Sequence, residues 1–293
     1  MATLEAYLNT DELAALIQRA KLEDVGPSGL DVTSRLFVPG ERTGEARMTA
    51  REPGTVSGLA LLPAVASAYD AKLAVTMEAA DGGRIAAGQT VARLAGPIRS
   101  LLAVERVALN FVSHLSGVAT LTARYVAATQ GTSARICDTR KTLPGLRSVQ
   151  KYAVACGGGT THRMGLHDAM LIKDNHLAGV ELDRLTDALR DAIARARTMH
   201  PQLKFAEVEV DTLEQLERVL PCGADMVLLD NMPVDELRQA VALRDREAPG
   251  VLLEASGGVT LQTVASIAQT GVDRISVGAL THSAPALDFG LDV

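Results

Sequence analysis

Short apolar runs in this sequence end repeatedly on a charge or a glycine. Arg140 and Lys141 follow ARICDT, Lys173 ends AMLIK, and Glu209 lies in KFAEVEV. Asp230 ends MVLLD, Ser256-Gly257-Gly258 ends LLEAS, and Gly278 follows RISV. If these runs are parallel strands of an α/β barrel, their carboxyl ends share one mouth, where such folds keep their chemistry. Cations there suit carboxylates and phosphates. Glycine turns suit phosphate through their backbone N–H groups. Two acids on neighbouring strands suit Mg²⁺ bridged to phosphate oxygens.

Each residue also has a plainer reading. SGGVT reads as a glycine turn opening a helix that holds phosphate, or as an ordinary strand-to-helix turn. Gly278 gains weight only as a second glycine end on the next strand. Glu209 and Asp230 read as metal ligands, or one of them pairs with a strand-end Lys or Arg. Glu207 and Glu209 share a strand face, and the spacing leaves open which is nearer the site. His162-Arg163 follows Gly157–Gly159. With His167 and His176 it completes no standard metal spacing. His162 therefore reads as a hydrogen-bond donor to an anion or as a structural loop histidine. Lys173 reads as a Schiff-base lysine or a fixed cation. The neighbouring Arg140, Lys141 and Arg163 favour a pocket for several negative charges.

Charge along the chain agrees. Between Thr139 and His176, six Lys/Arg face two Asp, giving +4 and leaving −10 for the rest of a 293-residue chain of net charge −6. A local reversal of sign points to a small anionic ligand. A pI near 5.6 and an aromatic share of 3% argue against a general nucleic-acid binder. Hydrophobic residues make up 47% of the chain, which places it among globular proteins with a sizeable core. Three cysteines without CxxC pairing suit reduced thiols and a cytoplasmic setting. MATLEAYLNTDELAAL has no basic n-region or long apolar core, so no signal peptide is expected. No continuous run approaches the ~20 apolar residues of a membrane helix.

The elements that must position these residues follow from periodicity. Thr10 to Lys21 reads as a helix with Leu13, Leu16 and Ile17 on one face. From Glu45 to Gly96, short alternating segments (EARMTA, GTVSGLAL, KLAVTMEA, TVARLAG) between Gly and Pro pairs read as a small antiparallel β region. Ser100 to Gln130 reads as a long helix linking two domains. After it, six β-branched or apolar runs alternate with amphipathic helices, which implies a parallel sheet, barrel-like or doubly wound. The final LDFGLDV is expected to pack back on the first domain.

TRKTLPGLR, KYAVACGGGTTHRMGLHDAMLIKDNH, VEV, LLDNM and EASGGV, with EDVG, DVTS and LLAVERVALNFVSHLSGVAT upstream, resemble the quinolinate phosphoribosyltransferase family in order and spacing over most of the chain. GPSGLDVTS is longer than the usual loop, away from the site motifs. The resemblance implies an α/β fold of the type II phosphoribosyltransferase kind. Its expected parts are an N-terminal α/β sandwich domain over 1–115, with 280–293 packing on it, and an incomplete, open α/β barrel over 116–279. It implies transfer of the phosphoribosyl group of phosphoribosyl pyrophosphate (PRPP) to quinolinate with decarboxylation, on the route to NAD. The substrate-binding set would be Arg106, Arg140, Lys141, His162, Arg163, Lys173, Ser256, Gly257, Gly258 and Gly278. Lys141, Lys173, Glu209 and Asp230 would be catalytic, with Glu209 and Asp230 holding Mg²⁺. It also implies a homodimer in which Arg106 serves the neighbouring subunit's site, with no nucleic-acid or membrane partner. A related transferase with another anionic substrate, a Schiff-base barrel lyase using Lys173, and a non-catalytic metabolite binder are the alternatives.

Overall fold

The structure is a computed structural model and describes residues 3–293. The chain divides into two compact units. One takes the chain up to Ala123 with Thr142–Gly158 and Ala279–Val293; the other takes Arg124–Lys141 and Gly159–Gly278. The sequence suggests 1–115 with 280–293 against 116–279; the structure also gives the tail to the first unit and adds Thr142–Gly158 to it.

In the first unit, the helix Thr10–Val25 starts where Asn9 and Glu12 cap each other's backbone N–H groups. Strands β1 (Thr43–Ala50), β2 (Gly54–Thr55), β3 (Ala74–Met77), β4 (Arg84–Ile85) and β5 (Thr90–Pro97) follow. β1 is central, antiparallel to β5 and to the tail strand Phe289–Asp292, while β3 pairs with the far side of β5. The tail closes this sheet through Arg47↔Asp292 to Ala50↔Phe289. GTVSGLAL, expected as a strand, is one only at Gly54–Thr55; a helix follows over Leu62–Tyr69. Pro63 in its first turn is preorganised for a helix and has no N–H to give a sheet.

The helix Ile98–Ala128 is, by length and composition, long and apolar enough to cross a membrane, which scanning for one unbroken apolar run does not reveal. Arg99, Glu105, Arg106 and Arg124 interrupt it. Of its most apolar window, 56% is buried inside the protein, so its apolar face is spent on the core. Gly117 sits where the helix meets the tail: a Cβ there would lie 2.0 Å from the Pro285 carbonyl oxygen.

The second unit carries β6 (Arg135–Cys137), β7 (Met170–Ile172), β8 (Ala206–Val210), β9 (Met226–Asp230), β10 (Leu252–Ser256) and β11 (Arg274–Ser276). All pairs are parallel, in the order β6-β11-β10-β9-β8-β7. β6 and β7 do not pair, so the sheet is open, as an incomplete barrel requires. Thr160 forms a bridge with Cys137 on the free edge of β6. Helices Leu185–Met199, Leu213–Val219 and Val234–Glu247 connect successive strands.

Replacing Gly117 by Ala should lower the unfolding free energy by about 1–3 kcal/mol, because overpacking against a backbone carbonyl outweighs alanine's better helix propensity. Urea denaturation of the two proteins side by side checks this.

Candidate active site

Register decides which side chains meet. Glu207 lies opposite Met226, and Glu209 opposite Leu228. Glu254 lies opposite Leu228, Ser256 opposite Asp230, and Arg274 opposite Glu254. Alternation then places Glu207, Glu209, Asp230, Glu254, Ser256, Arg274 and Ser276 on one sheet face. Lys173, two residues beyond Leu171, which pairs with Glu207, joins that face.

Its deeper part is a buried polar layer. The His162 ring nitrogen Nε2 is 2.9 Å from Glu207 and 3.3 Å from Glu254. Glu254 faces the Arg274 guanidinium at 2.9 Å and accepts from the Ser276 hydroxyl. Both glutamates are fully buried. Burial opposes a charge on His162, while hydrogen bonds to Glu207 and Glu254 favour one. The backbone N–H of Arg163, however, donates to His162 Nδ1 at 2.7 Å and occupies the lone pair that a second proton needs. The ring proton therefore belongs on Nε2. Burial and the Glu254 charge push the Glu207 carboxyl upward, so the remaining proton is best placed there. Glu254 and Arg274 then cancel, and the layer is neutral.

This layer settles the question left by EVEV. Glu207 belongs to the interior, and Glu209 belongs to the mouth, where its carboxylate receives the Lys173 ammonium. The plainer reading of Glu209, a pair with a strand-end lysine, is thus realised in the free protein. It involves one carboxylate oxygen, Oε2.

The segment that crosses the open side of the sheet carries the other cations. His162 N–H donates to the buried Asp138 at 2.9 Å, which fixes this segment beside β6. Asp168 accepts the N–H groups of Met164 and Gly165, each at 2.9 Å. Burial raises the Asp168 pKa, but those bonds and Lys204 overcome it and hold it at about 2. Between these clamps, Arg163 is 7% exposed and donates to the Ala169 carbonyl. Burial and then the nearby Arg140 charge push the Arg163 pKa down. Two guanidinium groups that disfavour each other make a place for an anion. Lys141 is exposed and follows Arg140 in the loop between β6 and the helix Arg147–Cys156, its N–H bonded to Thr139 Oγ1 at 3.0 Å.

At the glycine ends, Gly257 and Gly258 have φ of 95° and 58°. The helix expected to open at this turn begins only at Val264 and runs five residues. A phosphate held there would rest on turn N–H groups, with little help from a helix dipole. Gly278 is half-buried, after β11. Arg106 belongs to the other unit, on Ile98–Ala128, with its side chain 63% exposed and Glu105 at 3.9 Å.

Two carboxylate sets could hold a cation. His162, Glu207 and Glu254 converge in the buried layer, but the Arg274 charge against Glu254 repels a metal there. Glu209 and Asp230 offer hard oxygens on adjacent strands, which suit Mg²⁺ with phosphate and water as further ligands.

Residues 118–292 match the family described as "Quinolinate phosphoribosyl transferase, C-terminal domain", and residues 31–116 match its N-terminal domain. The chain is 46% identical over 281 residues to the nicotinate-nucleotide pyrophosphorylase (carboxylating) of Mycobacterium leprae, covering 94% of this chain and 95% of that one. It is 38% identical to a probable enzyme of the same name from Bacillus subtilis, covering 98% and 95%. The solved structure of the nicotinate-nucleotide pyrophosphorylase of Francisella tularensis superposes with a TM-score of 0.87 at 34% identity, covering 97% of each chain. That of NadC from Streptococcus pyogenes gives 0.88 at 36%, covering 98% and 97%.

Breaking the buried layer from one side should be costly. Glu254→Leu or Arg274→Met alone should lose about 3–5 kcal/mol of unfolding free energy, and the double substitution distinctly less than the sum. A double-mutant cycle in urea measures the difference.

Proposed function

The chain belongs to the quinolinate phosphoribosyltransferase family, and from that premise we propose how its strand-end residues carry out the reaction. The protein transfers the phosphoribosyl group of PRPP to quinolinate with loss of CO₂, giving nicotinate mononucleotide and pyrophosphate. The observation that carries the residue assignments is the strand register, which sets Lys173, Glu209, Asp230 and Ser256 on one sheet face at the carboxyl ends.

Quinolinate brings two adjacent carboxylates, and PRPP brings a phosphate and a pyrophosphate. Left alone, these anions repel. Arg140, Arg163 and Lys173 take the quinolinate carboxylates, because planar guanidinium forks match carboxylates and offset the repulsion. His162 supports them from below: with both ring nitrogens engaged, it orients Arg163. The turns at Ser256, Gly257, Gly258 and Gly278 take the 5-phosphate. Glu209 and Asp230 would hold Mg²⁺, which when bound would supply charge neutralisation for the leaving pyrophosphate. Quinolinate must displace Lys173 from Glu209, so substrate binding would free that carboxylate for the metal.

The pyridine nitrogen forms a bond to ribose C1 as the C1–oxygen bond to pyrophosphate breaks. Positive charge grows on the ribose, and the acids of the mouth stabilise it. The ribosylated nitrogen is cationic. When the C2–carboxylate bond breaks, the electron pair stays on C2 beside that charge, and a proton then adds to C2. No further cofactor is needed. With His162 engaged in the buried layer, the exposed Lys141 is better placed than His162 to supply that proton.

The lyase reading loses ground on geometry. The Lys173 side chain is paired with the Glu209 carboxylate, whereas a Schiff-base lysine is set among apolar groups or beside another cation. We further propose a homodimer in which the exposed Arg106 completes the partner's site, and a cytoplasmic location, which three free cysteines support.

Purified protein given PRPP, Mg²⁺ and quinolinate should release CO₂ and nicotinate mononucleotide in equal amounts. Lys173→Ala should abolish turnover and keep the fold. Arg106→Ala should be inactive as a homodimer and regain activity in mixed dimers with Lys173→Ala. Inactive mixed dimers, once shown to form, would remove the shared site.

A further inference from the structure

Asn231 follows Asp230 directly and is the only residue other than glycine with positive φ among the described residues, at 53°. That conformation costs a non-glycine residue on the order of 1 kcal/mol and persists where the surroundings impose it. Its backbone N–H donates to the Ser256 carbonyl at 2.9 Å, which ties the end of β9 to the end of β10. Its side-chain Nδ2 donates to Asp230 Oδ2 at 2.7 Å. Its Oδ1 lies against Gly257, where a Cβ would come within 2.1 Å of that oxygen and 3.0 Å of the Asn231 backbone nitrogen.

These facts interlock. The left-handed turn at Asn231 brings its amide back over the strand end. Gly257 leaves the space that the amide fills. Seated there, the amide can only aim Nδ2 at the Asp230 carboxylate. Asp230 and Ser256 are in register, so the amide sits between a proposed cation ligand and a proposed phosphate turn.

We propose that Asn231 is a positioning residue: its amide, seated on Gly257, fixes the Asp230 carboxylate in one orientation for the cation that accompanies the pyrophosphate of PRPP. This rests on the reading of Asp230 as a ligand of that cation. Oδ2 is held by the amide, and Oδ1 is the oxygen a cation would take. Gly257 then lacks a side chain for two reasons: its φ of 95° favours glycine, and the Asn231 amide occupies the space a Cβ would take.

The test uses the full-length protein with Mn²⁺ as the probe, its binding in the presence of PRPP read by electron paramagnetic resonance. Asn231→Gly and Asn231→Ala both delete the amide. Glycine accepts the left-handed backbone, and alanine does not. Both variants should bind Mn²⁺ with PRPP about tenfold more weakly, or about 1.4 kcal/mol. KM for PRPP should rise with little change for quinolinate. The melting temperature should fall for Asn231→Ala and hold or rise for Asn231→Gly. A purely structural role would instead make the Mn²⁺ defect follow the melting temperature. Asn231→Gly binding Mn²⁺ like the parent protein, while Asp230→Asn has lost it, would overturn the proposal. Parental binding in Asp230→Asn would overturn the ligand reading of Asp230 and the proposal with it.

Discussion

Side chains on a parallel strand alternate between two faces, and that constraint builds this site. Because β8, β9, β10 and β11 pair in register, Glu207, Glu209, Asp230, Glu254, Ser256, Arg274 and Ser276 face one way. A slip of one residue in any strand would turn its charges toward the helices. The strands therefore stack polar groups in depth. A buried layer lies below, and the charged mouth lies at the carboxyl ends.

The two levels meet different electrostatic demands. Below, no solvent compensates a charge, so the layer tends to neutrality: Glu254 faces Arg274, and Glu207 is hydrogen-bonded to His162. Above, Arg163 and Arg140 stand close enough to disfavour each other. In the proposed reaction, an anion bound there would relieve that repulsion. His162 joins the levels, because Nε2 belongs to the buried layer and Nδ1 receives the Arg163 N–H. Lys173 and Glu209 make a third device: a pair closed on itself in the free protein, whose members take separate tasks in the proposed reaction.

Much of this was legible in the sequence, for identifiable reasons. Strand ends carry their own signal, since a short apolar run followed by Lys, Asp or Gly-Gly marks both the strand and its mouth-facing residue. The motif order also pointed to the family and the open sheet. What stayed hidden depends on partners distant along the chain. EVEV places two glutamates on one face, but only His162, 45 residues away, shows that Glu207 is the inner one. Glu254 and Arg274 look like ordinary strand charges until the register sets them against each other. Gly257 is visible as punctuation, while the Asn231 amide packed against it is not. GTVSGLAL alternates like a strand until Pro63 starts a helix. The helix Ile98–Ala128 hides its apolarity behind scattered charges.

The central claim is that the cations of the mouth are placed for two adjacent carboxylates. Calorimetric titration of the protein with quinolinate, nicotinate and picolinate, which share the ring and differ in carboxylate number, tests it most directly. Quinolinate should bind at least about 100-fold more tightly than either monocarboxylate, since each hydrogen bond between charged groups is worth about 1.5–3 kcal/mol in a desolvated pocket. Equal binding of all three would contradict the account, because it would mean that the second carboxylate meets no cation in this pocket.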